Sequence, residues 1–288
     1  MNGKRKLDNL SHPMIIGGFN EISSICETAQ VDRIVIALDE KRGKFPTEQL
    51  LYCRMKGIRV DDGIDFTEQL AGKLSVENLL PSSLIFSDGF KRSGIFKRIK
   101  RFIDIMASLL GVVLFSPLSV LICIAIKMDT SGPIFYRQER VGEDGEIFEL
   151  LKFRSMRSNA EENGPVWAMD ADQRITRVGR VIRKLRFDEI PQMINVLRGE
   201  MSFVGPRPER LFFVEKLRNE IPFYSYRHSV KPGITGWAQI RYPYGASKED
   251  ALEKLKYDIF YIKHMSLLLD LMIISETIKI MLLGKGAR

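Results

Sequence analysis

The 288-residue chain is 45% hydrophobic and 28% charged, a composition that sustains a buried core and excludes intrinsic disorder. Its net charge of +8 is unevenly placed: residues 1–96 carry 13 basic and 13 acidic side chains, while residues 97–288 carry 31 and 23. The surplus favours an anionic partner, whether nucleic acid, a phosphorylated small molecule or an anionic membrane leaflet, and does not choose among them.

The N-terminus, MNGKRKLDNLSHP, is basic with no apolar stretch behind it, so a cleaved signal peptide is not expected. Residues 14–90 alternate strand and helix patterns. A helix is expected from Glu21 to Gln30, then Val31–Leu38 as a strand buried in a parallel sheet, a loop with Gly43 and Pro46, and a helix over TEQLLYCRMKG. Thr47 is placed to cap that helix, Leu50, Leu51 and Met55 to share its apolar face, and Gly57 to end it. IRVDD returns as a strand, closing a βαβ unit that looks like part of a Rossmann-like domain. Gly17 and Gly18 fit a turn better than a phosphate loop, since no GxGxxG follows a strand. Cys26, Cys53 and Cys123 show no metal-site spacing, which fits a reducing compartment. His12, His228 and His264 are equally isolated.

The basic run Phe90–Arg101 leads into Phe102–Ile126, 25 residues with one charge, Asp104. That is long enough to span a bilayer, whose core takes about 20 apolar helical residues. Ser116-Pro117 falls just past the middle, and the proline removes the N–H that would bond the Val113 carbonyl. The flanks are basic on both sides, so neither end is placed outside. A helix that enters, breaks at Ser116-Pro117 and returns to the same face is the favoured expectation; a kinked spanning helix remains the alternative.

Beyond Asp129, SGPIFYRQERVG and EIFELLKFRSM form a hairpin around Glu143–Glu146. Its second strand ends in Lys152, Arg154 and Arg157, either a solvated edge or the basic mouth of a site. Glu161–Asp172 has loop composition. From Ile175, the positions Ile175, Val178, Ile182 and Leu185 keep a helical apolar face, while arginines at 174, 177, 180, 183 and 186 wind around it. This helix delivers Arg183, Lys184 and Arg186 directly onto Asp188.

Asp188 precedes EIPQMINVLRG, where Pro191 fits only a first turn and Gly199 suits the helix end. Asp188 therefore reads as an N-cap. A carboxylate kept ionised by a helix dipole and arginines can also attack phosphorus or bind a divalent cation. Arg207, between Pro206 and Pro208 and close to Arg210, is a rigid guanidinium suited to phosphate. In RHSVKPGITGWAQIR, Lys231 and Trp237 belong to a loop whose aromatic plate either stacks on a base or sugar or closes the core. Residues 255–283 read as helices lying in a membrane interface.

The run KFRSM, the Ser-Pro break, RKLRFDEIPQMINVLRGEMSFVGPRP, KPGITGWAQI and the YDIFYIKHMSLLLDLMII tail together resemble the bacterial sugar transferase family of monotopic phosphoglycosyl transferases. The likeness runs from about Phe96 to the C-terminus. It implies transfer of a sugar 1-phosphate from a UDP-sugar to polyprenyl (undecaprenyl) phosphate with Mg²⁺, leaving UMP, as the first membrane step of exopolysaccharide or O-antigen assembly. It implies Asp188 as the nucleophile, Glu189 as its partner in a metal-dependent dyad, Arg183 and Arg207 as phosphate ligands, and Lys152 as a basic active-site residue. It also implies a cytoplasmic-membrane location with the soluble parts facing the cytoplasm. Nucleic acid is not expected as a partner, and a homodimer is compatible with the sequence. The family often carries a small residue where Arg186 stands, which leaves the local electrostatics open. Larger members carry a nucleotide-domain remnant like residues 14–90, usually preceded by spanning helices that these residues do not contain.

The expected fold is thus α/β, mostly α, in three parts. Residues 1–90 form a partial Rossmann-like domain, and 91–127 a basic linker with a re-entrant membrane helix. Residues 128–288 form an α-rich catalytic domain with a β-hairpin and interfacial amphipathic helices.

Overall fold

The computed structural model describes residues 15–38, 45–74, 89–90, 92–157, 160, 172–242, 245 and 247–283. The basic N-terminal run with His12, the Gly43 turn and the loop-like residues 161–171 lie outside them. The chain divides into two compact units, 1–71 and 72–288, and it is mostly helical.

In the first unit, α1 (Ile22–Thr28), β1 (Arg33–Ile36), α2 (Thr47–Met55), β2 (Arg59–Asp62) and α3 (Gly63–Ala71) follow in order. The two strands pair in parallel from Arg33↔Arg59 to Ile36↔Asp62, giving the expected βαβ unit. Among the described residues this sheet has two strands, and β1 alternates between exposed and half-buried rather than being buried throughout. Thr47 does not cap α2: its hydroxyl donates to the Phe45 carbonyl at 3.3 Å, and Pro46 holds the N-cap position. The buried face of α2 is Leu50 and Cys53, with Cys53 against Cys26 of α1, whereas Leu51 and Met55 are exposed. Gly57 ends the helix with φ +90°.

The second unit is built on α4 (Gly94–Asp129), 36 residues capped by the Ser93 hydroxyl, which accepts from Phe96 N. Among the described residues it is the one helix long and apolar enough to cross a membrane. The helix continues through Pro117 without the expected interruption. Its continuity has a local cause: the Ser116 hydroxyl donates to the Val113 carbonyl at 2.8 Å, replacing the backbone bond that Pro117 cannot make. One side of α4 carries exposed Phe102, Met106, Leu110, Val113, Leu121 and Ile124; the other buries Asp104, Ser108, Gly111, Ile122 and Ile126.

That inner side is tied to the rest of the unit at both ends. Lys100 pairs with Asp270 at 2.6 Å, Arg101 donates to the Val196 and Leu197 carbonyls, and Asp104 accepts from Ser202 Oγ and Phe203 N. Toward the C-terminal end, Ile122 and Ile126 pack with Phe153 and Ile182, and Asp129 accepts from Val178 N at 3.0 Å.

The hairpin forms as expected from β3 (Phe135–Val141) and β4 (Ile147–Phe153), in register Gln138↔Leu150. Its turn places Asp144 and Gly145 at φ 54° and 85°. Next come α5 (Arg177–Lys184), α6 (Gln192–Arg198), β5 (Ser202–Val204), α7 (Leu211–Glu220), β6 (Gly233–Thr235) and α8 (Trp237–Arg241). The long α9 (Lys248–His264) begins with a Ser247–Asp250 capping box and leads to α10 (Leu267–Leu282). Leu268, Leu271 and Ile278 of α10 are exposed, at the spacing of a helical stripe. Strands β5 and β6 run parallel, and glycines permit their approach. A Cβ at Gly236 would stand 2.1 Å from the Gly205 carbonyl oxygen, and one at Gly205 would stand 2.3 Å from that of Lys231. The VGPRP and KPGITGW runs are thus two sides of one tight contact.

Candidate active site

Asp188 and Glu189 do not begin a helix. They lie in a 3-10 turn, Phe187–Glu189, and α6 starts only at Gln192, after Pro191. Asp188 is therefore not the N-cap that its position suggests. Arg186 enters the turn in the left-handed region, φ 56°, which reverses the chain as it leaves α5. On either side of the two carboxylates, Phe187 and Ile190 pack with Leu118, Ile122 and Cys123 of α4. The two carboxylates are thereby seated against the part of the apolar helix that follows Pro117.

Both carboxylates are buried, each 9% exposed, but their surroundings differ. Glu189 Oε1 accepts from Lys152 Nζ at 2.9 Å and from Arg207 Nη2 at 3.0 Å. Burial alone would raise its pKa, and is the largest single influence; Lys152, Arg207 and Arg186 together outweigh it and hold the group well below the usual carboxylate range. Asp188 has no hydrogen bond from a described residue, and Lys152 Nζ stands 4.0 Å from its Oδ2. Burial pushes its pKa up, with neighbouring Glu189 adding to the rise and Lys152, Arg183 and Arg207 opposing it. The result is one carboxylate held ionised by two hydrogen-bonding cations beside one that accepts no hydrogen bond from a described residue.

The scan against family models matches residues 95–284 to the bacterial sugar transferase family. The chain belongs to that family. Among curated relatives, it is 44% identical over 239 residues to the UDP-N-acetylgalactosamine-undecaprenyl-phosphate N-acetylgalactosaminephosphotransferase of Aeromonas hydrophila, covering 83% of this chain and 56% of the relative. It is 36% identical over 269 residues to the UDP-glucose:undecaprenyl-phosphate glucose-1-phosphate transferase of Klebsiella pneumoniae, covering 91% and 57%. A putative undecaprenyl-phosphate N-acetylgalactosaminyl 1-phosphate transferase of Bacillus subtilis is 50% identical over 129 residues, covering 45% of this chain and 72% of that one. The chain spans a little over half the length of the first two relatives.

In this family member the fold gathers Lys152, Arg183 and Arg207 around the carboxylates and uses other predicted residues elsewhere. Arg154 is buried and donates to the Ser131 and Thr130 carbonyls and to Thr130 Oγ1, closing the C-terminal end of α4. Lys231 donates to the Gly199 carbonyl at 2.6 Å and, with Arg101, caps the C-terminus of α6. Trp237 is 4% exposed, donates to the Gly72 carbonyl and lies between Phe260 and the Arg241 guanidinium. It closes the core, leaving no open face for a base or sugar. Arg210 holds the N-cap of α7 and lies near enough to Arg140 to lower its pKa.

Two arginines that the sequence did not single out hold the Arg207 loop from behind. Arg227 donates to the Arg207 carbonyl at 3.0 Å and pairs with buried Asp258 at 2.9 Å; Arg140 donates to the Pro208 carbonyl at 2.9 Å. Burial drives Arg140 down to about 10. Arg140 was hidden in a strand that reads as solvated alternation, and Arg227 in a short basic cluster.

No cluster of three or more His, Cys, Asp or Glu able to hold a metal occurs among the described residues. A carboxylate pair without a full protein cage still suits Mg²⁺, which keeps waters and binds through one or two carboxylates together with substrate phosphates.

Proposed function

We propose that the chain transfers a sugar 1-phosphate from a UDP-sugar to polyprenyl phosphate, through a covalent intermediate on Asp188. The observation that carries this reading is the asymmetry of the pair: Lys152 and Arg207 bind Glu189, while Asp188 accepts no hydrogen bond from a described residue, inside a basic surround. The names of the relatives, which act on UDP-sugars and undecaprenyl phosphate, support the substrate class.

In the first displacement, an Asp188 oxygen attacks the phosphorus that bears the sugar. The bond from that phosphorus to the bridging oxygen breaks, and UMP leaves with the electron pair. In the second, a phosphate oxygen of polyprenyl phosphate attacks the same phosphorus and the Asp188 carboxylate departs, giving polyprenyl-diphosphate sugar. Splitting the reaction lets a water-soluble donor and a lipid acceptor use one site in turn. Neither step touches the anomeric carbon, so its configuration is retained. Arg207 and Arg183 would hold the diphosphate, and the charge of Lys152 favours the ionised Asp188. Asp188 and Glu189 would hold Mg²⁺, which when bound neutralises phosphate charge.

For α4, the inferred arrangement is entry and return on the cytoplasmic face of the membrane, with the helix bending at Ser116-Pro117 while its helical run continues, in an enzyme that takes the first step of surface-glycan assembly. Support comes from the polar ties at Lys100, Arg101 and Asp104 at one end and Asp129 at the other, all to one unit. A spanning helix would carry these ties to opposite sides of a ~30 Å apolar core.

The test is mass spectrometry of enzyme quenched with a UDP-sugar alone, across a panel that includes UDP-N-acetylgalactosamine and UDP-glucose. An adduct of one phosphosugar on Asp188, absent in Asp188→Asn, is expected. UMP release during turnover with no adduct would mean direct attack by the lipid in a ternary complex.

A further inference from the structure

Asn195 is fully buried on α6, 0% exposed, in the turn that follows the carboxylates. Its side-chain amide is completely used. Oδ1 accepts from Leu151 N at 3.0 Å; Nδ2 donates to the Glu149 carbonyl at 2.6 Å and to Glu200 Oε2 at 2.6 Å. These partners have a particular geometry. Residues 149 and 151 share one edge of β4, and a carbonyl at one residue with an N–H two residues on is the pair that a neighbouring strand would engage. The Asn195 amide thus serves β4 as a one-residue third strand on the edge that β3 does not cover.

The next residue of β4 is Lys152. On the face that carries it, Phe148 and Leu150 pack with Val196 and Met201, and Lys152 ends the row by reaching Glu189. Apolar packing leaves the strand free to slide along its axis, whereas two hydrogen bonds to alternate backbone groups fix its register. We infer that Asn195 is a positioning residue for the transfer reaction: it locks β4 onto α6 so that the Lys152 ammonium meets Glu189 and lies within electrostatic reach of Asp188. This inference rests on the proposed roles of Lys152 and Asp188.

The test is a double-mutant cycle on the full chain in nanodiscs, read as UMP release from UDP-N-acetylgalactosamine or UDP-glucose with undecaprenyl phosphate. Asn195→Ser and the equal-sized Asn195→Asp are each made with Lys152 intact and in Lys152→Met. Thermal melting and tryptophan fluorescence select the variants that fold, and turnover is expressed per folded molecule. A misplacement of about 1 Å can cost on the order of 10²-fold. The expected result is therefore a loss of kcat of roughly 10–100-fold with Lys152 present, at a KM for UDP-sugar within about twofold of the parent, and a loss of kcat of less than about twofold in Lys152→Met. Equal losses in both backgrounds, or a loss confined to KM, would reduce Asn195 to a general stabiliser and overturn the inference. Full activity in a folded variant would do the same. A wild-type chain that releases no UMP from any UDP-sugar would instead defeat the proposed function.

Discussion

Replacing Lys152 with methionine tests the charge arrangement of the site most directly, because the side chain keeps its volume and loses only its ammonium. That ammonium is 2.9 Å from Glu189 Oε1 and 4.0 Å from Asp188 Oδ2. At an effective dielectric constant of about 20, a unit charge pair at 4 Å is worth about 4 kcal/mol. This is an upper limit for the effect on Asp188, since Arg183 and Arg207 remain. Removing the cation favours protonated Asp188, and Glu189 keeps Arg207 as a hydrogen-bonding partner. The sign follows: a carboxylate already raised by burial rises further, so the nucleophile is lost at a higher pH than in the parent.

At 1.4 kcal/mol per decade this limit is about 10³-fold, reached only on the acidic limb where Asp188 is protonated in both proteins, so adduct formation should slow by an increasing factor as the pH falls. Part of the loss should be recovered on raising the pH. Quenched-flow mass spectrometry of the first displacement is the appropriate assay, because the UDP-sugar diphosphate does not titrate in this range, whereas a lipid monophosphate does. A rate that falls by the same factor at every pH, with the acidic limb where the parent has it, would refute the reasoning. Lys152 would then be a ligand for the donor and not a regulator of Asp188.

Other consequences are simpler to measure. Arg154→Met should lower stability by about 2–3 kcal/mol, because it strips the carbonyls of Thr130 and Ser131 of a buried donor; the folded fraction should keep the parent KM for UDP-sugar, and a raised KM would return Arg154 to the binding site. Gly236→Ala forces a Cβ to within 2.1 Å of the Gly205 carbonyl oxygen and should cost about 1–3 kcal/mol, a Tm drop of roughly 2–10 °C in differential scanning calorimetry; an unchanged Tm would show that β5 and β6 part freely. Cysteines placed before Phe102 and after Lys127 should react with an impermeant reagent from the same side of the membrane, and labelling from opposite sides would overturn the re-entrant arrangement. Pro117→Ala, which removes the ring clash that bends the helix, should shift that labelling toward opposite sides.

Much of this protein is legible in local pattern. A long apolar run with one charge found α4, the apolar stretches of 255–283 found the last helices, alternation around Glu143–Glu146 found the hairpin, and Gly57 and Gly199 marked helix ends, because each depends on residues that are neighbours in sequence. Local pattern also drew attention to Asp188-Glu189 and to Arg207. It erred where a side chain had more than one local use. Thr47 and Asp188 have the chemistry of caps, but Pro46 and Pro191 set where each helix begins. Pro117 reads as a break, but the adjacent Ser116 hydroxyl replaces the lost bond.

The division of roles among the cations belonged to tertiary structure alone. Lys152, Arg154 and Lys231 are indistinguishable as sequence, each a positive charge near a turn. Only the packing of β4 on α6 sends Lys152 to a carboxylate, while Arg154 and Lys231 turn to the carbonyls at helix ends. Charge and periodicity are properties of the chain and can be read along it. Which anion a buried cation meets depends on strand register and helix contact between residues tens of positions apart, and that is decided only when the core closes.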